Sequence, residues 1–177
     1  MWEIGFALLL SLIALSAPNA KAETQETAIE KRVTAVFGTR KLASELSPSN
    51  VVAKLRPLVE VQGQREGQQG LEFSGSGADV RWAVVTFYPG EKKGSYSFQS
   101  LQVGLTAPDE DVKNLELAVR AALQKKLGKG KTYDQGWRWR LGRWDLLMNS
   151  GAVPNPLSPT RTDARVVYIE LSPMNED

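Results

Sequence analysis

The sequence predicts an α+β fold: a curved antiparallel sheet of about six to seven strands packed against one main amphipathic helix over 109–127, in the order strands–helix–strands. Three observations carry this. Period-two segments fill the chain from Leu58 to Leu105, a single long segment of period 3.6 follows, and period two returns at Trp137. The 177 residues are 42% hydrophobic and 24% charged, which suffices for one core and excludes two large domains.

The chain opens on Ile4 to Ala17, an uncharged run whose 14 residues fall short of the ~18–20 that a membrane-spanning helix needs. Pro18 ends it, and Ala20-Lys21-Ala22 offers small residues at the two positions a signal peptidase reads. Residues 1–22 are therefore expected to be a signal peptide cleaved before Glu23, although Met1-Trp2-Glu3 lacks the usual basic residue. The expected location is periplasmic or secreted, with no transmembrane segment in the mature chain. The absence of Cys removes a lipoprotein anchor and disulfides, which favours a bacterial periplasm among exported settings.

Residues 23–57 read as an N-terminal helical leader. Ile29, Val33, Val36 and Phe37 follow a helical period that Gly38 interrupts, and Ser47-Pro48 offers an N-cap with Pro at the first helical position of a short helix ended by Pro57. Residues 58–177 read as the α+β domain. Leu58 to Val61, Leu71 to Phe73, Val80 to Tyr88 and Tyr96 to Leu105 are expected strands, with polar loops at 63–70 and 74–79. Within the fourth strand the apolar parity changes, from Tyr96 and Phe98 to Leu101, Val103 and Leu105. A β-bulge near Gln99-Ser100 reconciles the two sets and bends the strand.

The main helix carries Val112, Leu115, Val119, Ala122, Leu123 and Leu127 on one face. Thr106 and Asp109 fit a capping box, Lys125 and Lys126 suit the negative helix end, and Gly128 suits a left-handed stop. Beyond it, Trp137 to Arg140 and Arg143 to Met148 alternate around Leu141-Gly142. With those two residues as the loop, Trp139 faces Trp144, Trp137 faces Leu146 and Arg138 faces Asp145, placing all three Trp on the core side. A Pro-rich loop at 150–163 and a strand from Arg165 to Leu171 complete the chain.

Function is bounded first by absences. Without His or Cys the chain has no imidazole base, no thiol nucleophile and no Cys or His zinc site. A formal charge of +2 sets up no global field for nucleic acid. Gly130-Lys131-Thr132 resembles the end of a phosphate-binding loop, but Lys125 stands where the first Gly belongs and the segment leaves a helix rather than entering one. Gly75-x-Gly77 is explained by hairpin geometry.

The most distinctive window is Gln124 to Trp144, with seven Lys or Arg against one Asp and three interleaved Trp. It makes Lys129, Lys131, Trp137, Arg138, Trp139, Arg140, Arg143 and Trp144 candidate ligand-binding residues, in which cations meet phosphate or carboxylate and indoles offer stacking faces. The same pattern also describes a strand with one face buried and one wet. Glu72, Asp79, Asp134, Asp145 and Glu170 are the carboxylates placed to act as an acid and base pair on a glycan. No catalytic residue, metal site or cofactor is assigned. The expected function is thus non-enzymatic binding of a protein partner or an anionic envelope ligand. A carboxylate-based glycan or ester hydrolase is the alternative, and a secreted inhibitor using the loops at 63–70 and 150–163 is the second.

Overall fold

The computed structural model describes residues 27–67, 70–106, 111–134 and 136–174. The expected signal peptide and Asp109 lie outside the described residues. No helix among the described residues is long and apolar enough to cross a membrane.

The order is α1 (Ala28–Phe37), α2 (Leu42–Glu45), α3 (Val51–Leu55), β1 (Glu60–Gly67), β2 (Gly70–Gly77), β3 (Val80–Pro89), β4 (Tyr96–Thr106), α4 (Val112–Leu127), β5 (Lys131–Tyr133), β6 (Gly136–Arg140), β7 (Trp144–Asn155) and β8 (Ser158–Pro173). The eight strands form one antiparallel sheet in the order β1-β2-β3-β4-β8-β7-β6-β5. Each half of the chain is a helical segment followed by a four-strand meander, and the halves join where β4 lies beside β8. The fold is α+β as the pattern predicts, with more strands than expected.

The N-terminal helices share the core. A capping box starts α1, where Thr27 accepts from the Glu30 amide and the Glu30 carboxylate accepts from the Thr27 amide. Val33, Val36 and Phe37 of α1, with Leu42, Val51 and Leu55, are buried in the same cluster as the sheet residues. Ser47-Pro48 does not open α3. Asn50 binds the Ser47 amide at 2.9 Å through Oδ1 and the Glu45 carbonyl at 2.7 Å through Nδ2, so a side-chain-stitched turn occupies these residues and the helix starts at Val51.

The bulge in β4 falls at Gln99. Thr86 pairs with Ser100 but Phe87 pairs with Phe98, leaving Gln99 as the extra residue. Its insertion brings Tyr96 and Phe98 onto the face of Leu101, Val103 and Leu105, and all five pack in or against the core. That face is covered by α1 and α4, which pack on each other. Side chains of the opposite face include Glu72, Thr86, Gln102, Tyr168 and Glu170.

Three expected loops are strand over much of their length. The β1–β2 ladder runs to Gly67 opposite Gly70, residues 74–77 belong to β2, and the β7–β8 ladder continues to Asn155 opposite Ser158. Polarity there reports solvent contact, whereas pairing uses backbone amides that polar residues supply equally well. The short β5 is absent from the sequence reading because three residues carry no measurable alternation.

The β6–β7 hairpin turns at Gly142-Arg143 rather than Leu141-Gly142. Trp139 pairs with Leu146, Trp137 with Met148 and Arg138 with Leu147, and the Leu141 amide donates to the Trp144 carbonyl at 2.8 Å. Gly142 has φ 73°, a positive value at the first turn position that glycine reaches without strain. Moving the turn by one residue shifts each cross-strand partner by two, so side-chain parity survives. Trp139 and Trp144 are buried and Trp137 packs against the core.

In α4 the expected apolar face is inward, with Val112, Val119, Ala122, Leu123 and Leu127 buried. Its start differs. Thr106 belongs to β4, where its amide donates to the Asp79 carbonyl, and Asp111 occupies the cap position. Gly128 ends the helix with φ 88° and an extended ψ of −177°, a region open to glycine but outside the left-handed helical well.

Candidate functional site

The end of α4 delivers the chain to the β5–β6 edge, and the basic window gathers there. A helix C-terminus leaves carbonyls without intrahelical donors. Here Arg40 Nη2, from the turn between α1 and α2, donates to the Leu127 carbonyl at 2.7 Å, and Trp139 Nε1 donates to the Gly128 carbonyl at 3.0 Å. Trp139 fits this role because Gly130 lies under its ring. A Cβ at Gly130 would come within 2.8 Å of the indole.

Around this junction a cleft of about 450 Å³ is lined by Arg40, Lys129, Lys131, Arg138 and Arg140, with Tyr133 and Trp139 among its other walls. No carboxylate among the described residues lines it. Lys129, Lys131 and Arg140 are exposed and make no ion pair among the described residues. Arg138 is different: its side chain is 10% exposed, it pairs with Asp145, and its guanidinium lies 4.9 Å from the Tyr133 ring centroid. Five cations with one neutralised by Asp145 leave an electropositive hollow beside an aromatic ring.

The other residues expected at the site go elsewhere. Trp137 lies beneath the Arg120 guanidinium of α4, 4.5 Å from ring centroid to Cζ. Arg143 stacks over Trp144 at 5.5 Å, and both line a separate hollow of about 530 Å³ with Leu46 and Phe98. The window is therefore divided, with Lys129, Lys131, Arg138, Trp139 and Arg140 together and Trp137, Arg143 and Trp144 apart. Strand alternation and the intervening turn separate residues that are close in sequence.

No protein-family model, curated protein or solved structure matches the chain. The chemistry of the cleft is carried by its own side chains.

Arg40 and Tyr133 are cleft residues that the window did not contain as site residues. Arg40 lies 87 residues from the carbonyl it caps, so no local signal links the two. Tyr133 follows from β5, whose partner strand places it by backbone pairing opposite Gly136.

The carboxylates considered for hydrolysis are dispersed. Asp79 pairs with Arg32, Asp145 with Arg138, and Glu170 accepts from Tyr168 Oη at 2.7 Å and from Gln102 Nε2 at 3.4 Å. Burial, together with the Glu170 charge and hydrogen bond, pushes the Tyr168 phenol well above its ordinary range. Asp134 is exposed at a turn with φ 48°. No group of three or more His, Cys, Asp or Glu among the described residues is arranged to hold a metal ion. Gly130-Lys131-Thr132 enters β5 and faces no helix N-terminus of its own.

Proposed function

We propose that the protein is an exported, non-enzymatic binding protein that holds an anionic group, presented by an envelope component or a partner protein, in the cleft at the β5–β6 edge. One observation carries this reading: among the described residues, every charged residue lining the cleft is a cation, and three of them are exposed and unpaired. Arg and Lys there supply charge-assisted donors, and Tyr133 supplies a flat face for a ring attached to the anion. The commitment of Asp79, Asp145 and Glu170 to partners within the fold favours binding over a carboxylate hydrolase. Export rests on the leader at 1–22 and is tested separately, by fractionating cells that express the full chain.

The test of the cleft is thermal stabilisation of residues 23–177 by pyrophosphate and by a phosphorylated envelope glycolipid. A ligand at about 100 times its Kd stabilises the folded state by ~2.7 kcal/mol, a readily measured shift. The triple variant Lys129→Glu, Lys131→Glu, Arg140→Glu is expected to melt like the parent and to lose the shift. An undiminished shift in that variant removes the cleft as the site, and absence of any shift in the parent removes the anionic ligand.

A further inference from the structure

A third hollow lies at the opposite end of the sheet, far in strand order from the basic cleft. It encloses about 560 Å³ and is bounded by Arg65, Glu72, Thr86, Tyr88 and Gln99 over a floor that includes Gly67 and Gly70. The sequence creates the hollow by omission. Arg65, Glu72 and Thr86 are cross-strand partners on β1, β2 and β3, and the next positions along that face are Gly67, Gly70 and Tyr88. The two glycines pair with each other and contribute no side chain of their own to the space beside the Tyr88 ring. Gly70 is fixed by its φ of 132° and by the Phe87 carbonyl, which a Cβ would approach to 2.0 Å. Among the described residues, nothing lies within 4 Å of a Cβ placed at Gly67.

The walls have a definite chemistry. Tyr88 is half exposed, and its hydroxyl accepts a 2.6 Å hydrogen bond from Gln99 Nε2. Gln99 is the bulge residue of β4, so the irregularity in the ladder is what aims its amide at the ring. Arg65 and Glu72 stand opposite each other and form no ion pair among the described residues, which leaves planar donors and acceptors side by side with no net charge. Such a pair sets up no net field that would draw an anion or a cation in preference to a neutral ligand. A neutral ring bearing adjacent hydroxyls gains from both side chains, because each hydroxyl donates and accepts. The C–H face of that ring carries partial positive charge and complements the negative face of a tyrosine ring.

From this geometry we propose that the hollow is a saccharide-binding site, in which one neutral pyranose ring of a glycan stacks on Tyr88 and its adjacent hydroxyls bond Arg65 and Glu72. Pocket size agrees with a small ligand fixed by a few convergent polar groups. The site is independent of the basic cleft.

The test uses the purified protein with maltotriose, cellotriose and triacetylchitotriose, read by saturation-transfer NMR and calorimetry. At least one trisaccharide is expected to bind. Tyr88→Ala should weaken it about tenfold or more, equivalent to ~1.4 kcal/mol, while Tyr88→Phe retains most of the affinity. Gly67→Leu fills the hollow from an edge strand without a clash and should abolish binding at an unchanged melting temperature. The variant with Lys129, Lys131 and Arg140 reversed to Glu should bind the sugar normally, which separates this site from the anionic one. Failure of all three sugars to bind, or equal binding by the Gly67→Leu and Tyr88→Ala variants, overturns the proposal.

Discussion

Arg138 and Asp145 illustrate how much a single buried pair can control. Their side chains are 10% and 6% exposed, and they meet at 2.5 Å. Removing the guanidinium leaves the Asp145 carboxylate buried without its cation. Arg138→Met is therefore expected to cost ~3–5 kcal/mol in urea unfolding, whereas adding Asp145→Leu to it recovers most of the loss. A loss near zero for the single variant would show that water reaches the carboxylate. Asp145 Oδ1 has no hydrogen-bond partner among the described residues. Tyr168 makes the second prediction at this scale. Its phenol titrates above the ordinary 10.0 because burial and Glu170 disfavour the phenolate. A raised folded pKa stabilises the fold fully below pH 10, and the stabilisation is lost as pH rises above it. Tyr168→Phe should flatten the decline of unfolding free energy above pH 10 relative to the parent, and an unchanged slope would assign the alkaline loss to other groups.

Among the elements, β4 depends on one inserted residue. Deleting Gln99 would make the ladder with β3 regular, but it would turn Tyr96 and Phe98 away from the core or force Leu101, Val103 and Leu105 out of it. The deletion is expected to abolish cooperative unfolding, measured by near-ultraviolet circular dichroism during thermal melting. A cooperative transition near the parental temperature would mean that the strand end reorganises locally. This bulge was legible in the sequence because a parity switch inside one apolar strand has few other causes. The hairpin turn was less legible. Leu141-Gly142 and Gly142-Arg143 give the same inward set, since the partner shift is two residues, and only the position of Gly142 within the turn separates them. Helix α4 was legible along its apolar face and less so at its start, where Thr106 is taken up by β4. The polar hairpin segments were misread as loops because side-chain polarity records exposure while strand pairing is a property of the backbone.

For the whole molecule, the decisive contact is the β4–β8 seam, where Leu101 pairs with Leu171, Val103 with Ile169 and Leu105 with Val167, all at most 1% exposed. Every other strand pair joins neighbours in sequence, whereas this one closes across α4 and three strands. Amide hydrogen exchange should accordingly be slowest in Leu101–Leu105 and Val167–Leu171 and fastest in β1 and in β5, the two edges. Equal protection in β1 and β4 would contradict a stability gradient from seam to edge. The basic cleft shows the same dependence on distant pairing. Its strand residues could be named from the charge window, but Arg40 joins them only because α1 packs on α4.

By itself the sequence determined the α+β class, the inward face of α4, the bulge in β4 and the burial of the Trp side of β6, because each is written in a local period of two or 3.6 that a short window contains. Tertiary structure alone decided the strand order, the meeting of β4 with β8, the division of the basic window between two hollows and the glycine-floored hollow beside Tyr88. The reason is physical. Periodicity fixes which way a side chain points, but backbone amides are the same at nearly every residue, so the choice among possible partners is made only when apolar faces far apart in the chain close on one core.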